Sequence, residues 1–100
     1  ASFASVEHTA VTISTDLFDE YVGEYELRPG FIISVTRDGN RFFVQPTEQR
    51  RIAIRAESDT DFFLIGVEAS VTFGRADATG PVTHLILHQG ERSQTAERRR

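Results

Sequence analysis

The sequence predicts an all-β protein, a small antiparallel meander that closes into a β-barrel of about seven or eight strands after one short helical turn. Short runs of alternating apolar and polar residues recur between turn sequences rich in Gly, Asp and Pro. Eight Phe and two Tyr supply the bulk, without Met or Trp, which favours a sheet. The connections are too short for crossover helices, so neighbouring strands should pair antiparallel. Closure removes exposed edges, and the alternatives are a half-open curved sheet or a sandwich.

The length, charge and composition of the chain exclude several classes of protein. One hundred residues, 39% of them hydrophobic, suffice for one domain with one core. The net charge of −4 does not favour a nucleic-acid partner. No apolar stretch reaches the length of a membrane helix, so no membrane insertion is expected. The absence of Cys excludes disulfides and thiolate metal sites.

The two ends of the chain are expected to lie outside the packed structure. Residues 1–10 read as a linker or disordered segment, and 11–100 as a single β-barrel domain, with 11–13 as a possible short edge strand. The chain begins at Ala1, which suggests a processed protein or a segment of a longer one. The closing run of three arginines, 98–100, is expected to be frayed and solvated.

The first element is a helical turn. Leu17 and Tyr21 stand four residues apart, as neighbours on one helical face do. Asp16 is the expected N-terminal cap, and Gly23 supplies the freedom to leave the helix. We expect this turn to plug one end of the barrel with Leu17, Phe18 and Tyr21.

The remaining elements read as strands. Asp38-Gly39-Asn40 is the strongest hairpin signal, because these residues tolerate positive φ. In the strand that follows it, Phe42 and Val44 are expected to point inward. The expected strands are, in order, 24–27, 31–37, 41–45, 51–55, 61–65, 69–73, 82–89 and 94–98.

The sequence predicts no catalytic residue, cofactor or metal site. No serine lies in a Gly-x-Ser-x-Gly motif, and the chain has no Lys to complete Ser-x-x-Lys. His84 and His88 lie on one strand, where a spacing of four residues separates them by roughly 13 Å, too far to share a metal ion. Glu24 and Glu26 share a strand face that alternation predicts to be solvated, so an acid–base pair is not favoured.

Aromatic residues supply the candidate interaction surface. Phe42-Phe43 and Phe62-Phe63 are adjacent pairs, of which one member should be core and the other should lie at a rim or interface. Base stacking is not favoured, because few basic residues are interleaved with them. The expected interaction surface comprises Phe18, Tyr21, Phe43 and Phe62.

Ordered motifs along nearly the whole chain resemble a known family. The opening motif is Leu17-x-x-x-Tyr21-Val22-Gly23-x-Tyr25, followed by the Val35-x-x-Asp38-Gly39 hairpin. The later landmarks, in order, are Phe62-Phe63, Val71-Thr72-Phe73, Gly80 with Val82, Leu85-Ile86-Leu87, and Ala96 before Arg98. Together they resemble the DUF3471 type of domain, found at the carboxy-terminal end of serine beta-lactamase-like hydrolases and penicillin-binding-protein-like peptidases.

The resemblance implies a lipocalin-like barrel that accompanies a catalytic domain and is not itself an enzyme. Its expected partner is the catalytic domain of a parent hydrolase, or a second copy of the chain. A periplasmic or secreted location is also implied. The alternative is a lipocalin-like module for a small apolar ligand, although a barrel this rich in Phe should fill its own lumen. A free-standing enzyme is the least favoured function.

Overall fold

A computed structural model describes residues 11–77 and 80–99, which form an eight-stranded closed antiparallel barrel with one short helix. The elements are α1 Thr15–Asp19, β1 Gly23–Arg28, β2 Phe31–Asp38, β3 Arg41–Pro46, β4 Ile52–Ala56, β5 Asp61–Leu64, β6 Ser70–Arg75, β7 Val82–Gln89 and β8 Arg92–Arg98. Each strand pairs with its sequence neighbours, and β1 pairs with β8, where Tyr25 lies opposite Arg98. The predicted fold class is therefore confirmed.

The N-terminal cap of α1 is not the residue expected. Ser14 is extended, with φ −72° and ψ 151°, and its side chain accepts a hydrogen bond from the Leu17 N–H at 3.0 Å. Asp16 lies two residues after the cap position and occupies the first turn instead, where a negative charge interacts favourably with the helix dipole. The prediction of Asp16 as the cap was wrong because Ser14, two residues earlier, already has the required backbone conformation and hydroxyl.

Aromatic rings fill the barrel interior. Phe18 stacks on Phe42 with ring centroids 3.9 Å apart, and Tyr21 stacks on Phe73 at 4.3 Å. Phe62 lies between them in edge-on contact with Phe18 at 5.5 Å. Inward residues from all eight strands complete the core cluster. The helix, through Phe18, and the turn after it, through Tyr21, therefore contribute two of the largest core side chains to the lumen.

Helix α1 lies across one end of the barrel. Asp19 pairs with Arg37 at the end of β2, with a shortest N–O distance of 2.5 Å. Glu20 pairs with Arg75 at the end of β6, at 2.6 Å. The Tyr21 hydroxyl donates to a backbone carbonyl in the β4–β5 turn. Contacts to alternate strand ends of the same rim hold the helix in place as the expected plug.

The C-terminal arginines are bound rather than frayed. Arg98 donates to the carbonyl of Glu20 at 2.8 Å and to that of Val22 at 2.6 Å. Both acceptors follow the helix, where backbone carbonyls lack helical partners. Arg99 donates its backbone N–H to the Glu24 carbonyl at 2.8 Å. The prediction of a frayed end was wrong for these two residues, although the Arg99 side chain is exposed as expected, and the last residue lies outside the described part.

The segment before α1 contacts β4 through one backbone hydrogen bond. The Val11 N–H donates to the Ala56 carbonyl at 2.8 Å, and residues 11–14 form no strand. The expected pairing of 11–13 is therefore limited to a single bond. The linker predicted for residues 1–10 lies outside the described residues.

Candidate interaction surface

The outward side of β3 and β4 carries an aromatic ring among arginines. Since Phe42 and Ile54 point into the core, alternation turns Arg41, Phe43, Arg55 and their neighbours outward. We call this surface the arginine face; it comprises Arg41, Phe43, Arg51, Ala53 and Arg55.

Phe43 is buried although it belongs to the outer side of the barrel. It is 8% exposed, yet it lies outside the interior cluster that contains the other buried apolar residues of the described chain. The Arg51 guanidinium covers its ring at 3.9 Å from the centroid, in cation–π contact. Phe43 also lies opposite Ala53 in the ladder, so its neighbour on β4 is a small side chain.

Strands β3 and β4 stop pairing at this place. Their ladder ends at Phe42 opposite Ile54, and the register continues no further towards Arg41 and Arg55. Beyond that point, the Ala56 carbonyl is taken by the Val11 N–H. A backbone edge where pairing ends is the geometry that accepts an added extended segment.

A groove opens at the divergence of the two strands. Its volume is about 630 Å³, within the size range of small-ligand and peptide sites. It is lined by 11–13, by 40–43 from the β2–β3 turn and β3, and by 53–56 from β4. Because successive residues of each strand line it, the groove presents backbone as well as side chains.

Charge is unevenly placed around the barrel. In the described chain, Arg41 and Arg55 have no ion-pair or hydrogen-bond partner for their side chains. Strands β8 and β1, across the barrel from β4 and β5, present Glu97 opposite Glu26. The arginine face is therefore a positive region on a chain whose net charge is −4.

Residues 7–98 match the family described as "Domain of unknown function (DUF3471)". The chain belongs to the DUF3471 family. It is also similar to penicillin-binding protein 4* of Bacillus subtilis (strain 168), with 31% identity over 88 residues. That similarity covers 86% of this chain and 19% of the relative, so the chain spans about a fifth of the relative's length. No solved structure matches. These findings confirm the resemblance stated from the sequence motifs.

The DUF3471 barrel buries three of the four residues expected at its interaction surface. Phe18 and Phe62 are 0% exposed and Tyr21 is 1% exposed, all in the core cluster. Phe62 points inward because its ladder partners, Ala56 and Val71, do so too. The placement of these three on an outer patch is thus corrected. Only Phe43 lies on the outer side.

Burial shifts the titration of both tyrosines in the DUF3471 core. Removal from water raises the pKa of Tyr25 to about 12, and the nearby Arg98 only partly opposes that effect. Burial also raises the pKa of Tyr21. The Tyr25 hydroxyl donates to the Tyr21 carbonyl at 2.7 Å. Both phenols are therefore held as neutral hydrogen-bond donors that serve packing.

A polar chain crosses four strands on the outside of the DUF3471 barrel. The Thr72 hydroxyl lies 2.7 Å from Asp61 and 3.0 Å from His88 Nε2, and His88 Nδ1 lies 2.9 Å from Ser93 Oγ. An ionised carboxylate only accepts, so Thr72 donates to Asp61 and accepts from His88 Nε2–H. In the neutral imidazole, His88 Nδ1 then accepts from the Ser93 hydroxyl. Sequence spacing placed His88 on a strand face but gave no sign of these cross-strand partners.

The two histidines of β7 contact different partners. His84 packs over Gly74 and contacts Thr83 Oγ1 through Nδ1 at 2.9 Å, whereas His88 belongs to the polar chain. Across residues 11–77 and 80–99, no group of three or more metal-binding side chains comes together. Nor does any helix in that part have the length and apolarity to cross a membrane.

Proposed function

We propose that this DUF3471 domain is a non-catalytic accessory domain of a serine beta-lactamase-like hydrolase and acts by packing against the catalytic domain. The observation that carries the proposal is the similarity to penicillin-binding protein 4*, which covers most of this chain but 19% of that relative. The remainder of such a protein has room for the catalytic machinery that this chain lacks.

Residue chemistry supports a non-catalytic role. The serine beta-lactamase-like hydrolases that carry such a domain use Ser-x-x-Lys, and this chain has no Lys. Ser93, the serine hydroxyl 2.9 Å from His88 Nδ1, is exposed on the outer face of β8. Reaction there would lack the water-excluding pocket that strengthens electrostatic stabilisation of a transition state.

The filled lumen does not favour a small-ligand carrier. Lipocalins share the eight-strand up-and-down architecture but keep an interior cavity for a ligand. Here the stacked pairs Phe18–Phe42 and Tyr21–Phe73 occupy that volume. The function therefore belongs to the outer surface, and packing against another domain uses it directly.

The test begins with the gene that encodes this chain. We expect its protein to contain a Ser-x-x-Lys motif outside these residues and to be labelled covalently by a fluorescent penicillin. The chain of residues 1–100 alone should remain unlabelled. Removing it from the longer protein should lower the melting temperature of the remainder, because an interdomain interface is lost.

Three results would contradict the proposal. One is labelling of the isolated chain, and another is a gene without any catalytic domain. The third is a melting temperature of the remainder that does not change on removal of the chain. Self-association is the second mode by which an accessory domain acts, and light scattering of the isolated chain distinguishes it: a concentration-dependent dimer would replace packing on the catalytic domain as the role.

A further inference from the structure

The arginine face has the chemical character of a peptide-binding surface. It combines an aromatic ring, Phe43, with the unpaired guanidinium groups of Arg41 and Arg55. Arg and aromatic residues are enriched at the energetically dominant positions of protein interfaces. The groove beside them is large enough to receive a side chain and its adjoining backbone.

Backbone geometry at the groove favours an extended occupant. Pairing between β3 and β4 ends at Phe42 and Ile54, and Val11 satisfies one carbonyl of β4 through its N–H. A segment in extended conformation can lie along a strand edge, and it points every second side chain to the same side. A helix would not offer its backbone groups to the strand edge, and its side chains would not alternate between two sides.

The charges around the groove indicate which kind of extended segment would bind there. No acidic residue points outward from β3 or β4 in the part of the chain that the structure describes. Asp38, opposite Arg41 in the β2–β3 ladder, is the acidic residue beside this surface, whereas Glu26 and Glu97 lie on the far side of the barrel. Positive groups concentrated at one place on an acidic protein suit a negatively charged partner, which they orient as it approaches.

We propose that the arginine face binds an extended acidic segment of the neighbouring domain, with an apolar side chain of that segment seated against Phe43. The inference rests on the proposed function, which supplies the domain that carries the segment. Carboxylates of the segment pair with Arg41 and Arg55, whose forked guanidinium groups suit two-point contact. Arg51 stays on the Phe43 ring and closes one side of the seat.

The test uses the chain itself and a synthetic peptide of alternating Glu and Val with blocked ends. Titration followed by amide ¹H–¹⁵N spectra at low salt should shift resonances of 11–13, 41–43 and 53–56. A peptide with Lys in place of Glu should shift none of them. High salt should weaken the binding, since exposed charges are screened.

Two double variants distinguish the effect of the arginine face on peptide binding from the effect of net charge. Arg41→Glu with Arg55→Glu should weaken peptide binding by about tenfold or more, because two attractive contacts become repulsive. Arg50→Glu with Arg92→Glu makes the same change of net charge at two exposed positions outside the arginine face. This control pair should bind the peptide with less than about a threefold change. Unchanged spectra elsewhere show that both variants fold.

Absence of shifts at the arginine face, or equal weakening in both variants, overturns the inference. The longer protein separates this failure from that of the proposed function. If removal of the domain destabilises the remainder but Arg41→Glu with Arg55→Glu does not, domains pack through another surface. If neither change has an effect while the peptide still binds, the proposed packing fails and the arginine face serves a separate partner.

Discussion

At the scale of single residues, the close approach of neighbouring side chains limits which residues the barrel wall can accommodate. Gly74 lies opposite His84 in the β6–β7 ladder, and a Cβ placed on Gly74 would lie 2.2 Å from His84 Nε2. The imidazole therefore occupies the space that any other residue's side chain would need. Gly23 has a similar role, since a Cβ there would lie 3.1 Å from the Arg98 guanidinium.

Substitution of Gly74 tests this contact. Gly74→Ala should lower the free energy of unfolding by about 1–3 kcal/mol, because the His84 ring must move from its position. Urea denaturation measures the change. His84→Ala in the same chain should remove most of the penalty, because the obstructing ring is gone. If the double variant is as unstable as Gly74→Ala alone, the clash is not the cause.

Tyrosine burial predicts a loss of stability in alkali. The folded chain keeps the Tyr25 proton up to a pH of about 12, whereas the unfolded chain releases it near the ordinary pKa of 10.0. The unfolded state therefore loses its proton first, and the contribution is complete below pH 10.0 and is lost as the pH rises towards 12. The limiting slope is about 1.4 kcal/mol per pH unit for each such group.

Denaturant unfolding between neutral pH and strong alkali measures that slope. Tyr25→Phe should make it shallower, and the remaining decline should come partly from Tyr21, whose pKa is also raised. Phenolate absorbance of the folded protein should rise only above the ordinary pKa of 10.0. A Tyr25→Phe variant with the same slope as the original chain would show that the Tyr25 hydroxyl is not protected by burial.

At the scale of elements, α1 is too short to be stable alone and depends on its contacts with the barrel. It has five residues, of which only Phe18 is buried. Its ends are held by the Ser14 cap and by Arg98, which binds carbonyls beyond the last turn. The helix therefore works as a plug fixed by side chains from distant parts of the sequence.

The Arg98 contacts should contribute more to stability than the neighbouring ion pair. Arg98→Ala should cost about 2–3 kcal/mol, because two carbonyls lose charge-assisted hydrogen bonds. Arg99→Ala is the matched control, since its side chain makes only an exposed pair with Glu24 at 3.6 Å and should cost less than about 1 kcal/mol. Equal losses in calorimetry of the two variants would exclude a special role for Arg98.

Removal of the plug's central ring should be more severe. Phe18→Ala deletes a fully buried ring that stacks on Phe42 and should cost about 3–5 kcal/mol. Leu17→Ala is the control from the same helix, because Leu17 is only partly buried. Thermal melting followed by circular dichroism gives both values. A Phe18→Ala chain as stable as Leu17→Ala would show that the lumen does not depend on the helix.

The sequence predicted the helix and the strands more accurately than the contacts between them. Alternation fixed the strands because one face of each must enter the core, and Phe42 and Val44 point inward as expected. The same reasoning placed Phe62 wrongly on an outer surface, because both residues of Phe62-Phe63 are aromatic and only the pairing with Ala56 and Val71 sets which one faces inward. The cap at Ser14 was missed because Ser14, Thr15 and Asp16 all satisfy the same residue preference.

At the scale of the whole molecule, closure of the barrel brings together residues that are far apart in the sequence and whose contact sequence patterns do not predict. Arg98 meets the helix because β8 pairs with β1, a contact across nearly the full chain. The arginine face depends on where the β3–β4 ladder stops, which strand patterns do not predict to the residue. Its aromatic member, Phe43, was predicted from alternation, whereas the groove and the unpaired arginines became evident only in three dimensions.

We propose that this barrel acts through its outer surface, packed against a neighbouring domain. Amide hydrogen exchange, measured on the isolated chain and within the longer protein from its gene, tests that claim directly. We predict slower exchange within the longer protein at 41–43 and 53–56, and unchanged exchange on the outer side of β8 and β1. Equal exchange rates throughout the barrel in the two proteins would contradict the account.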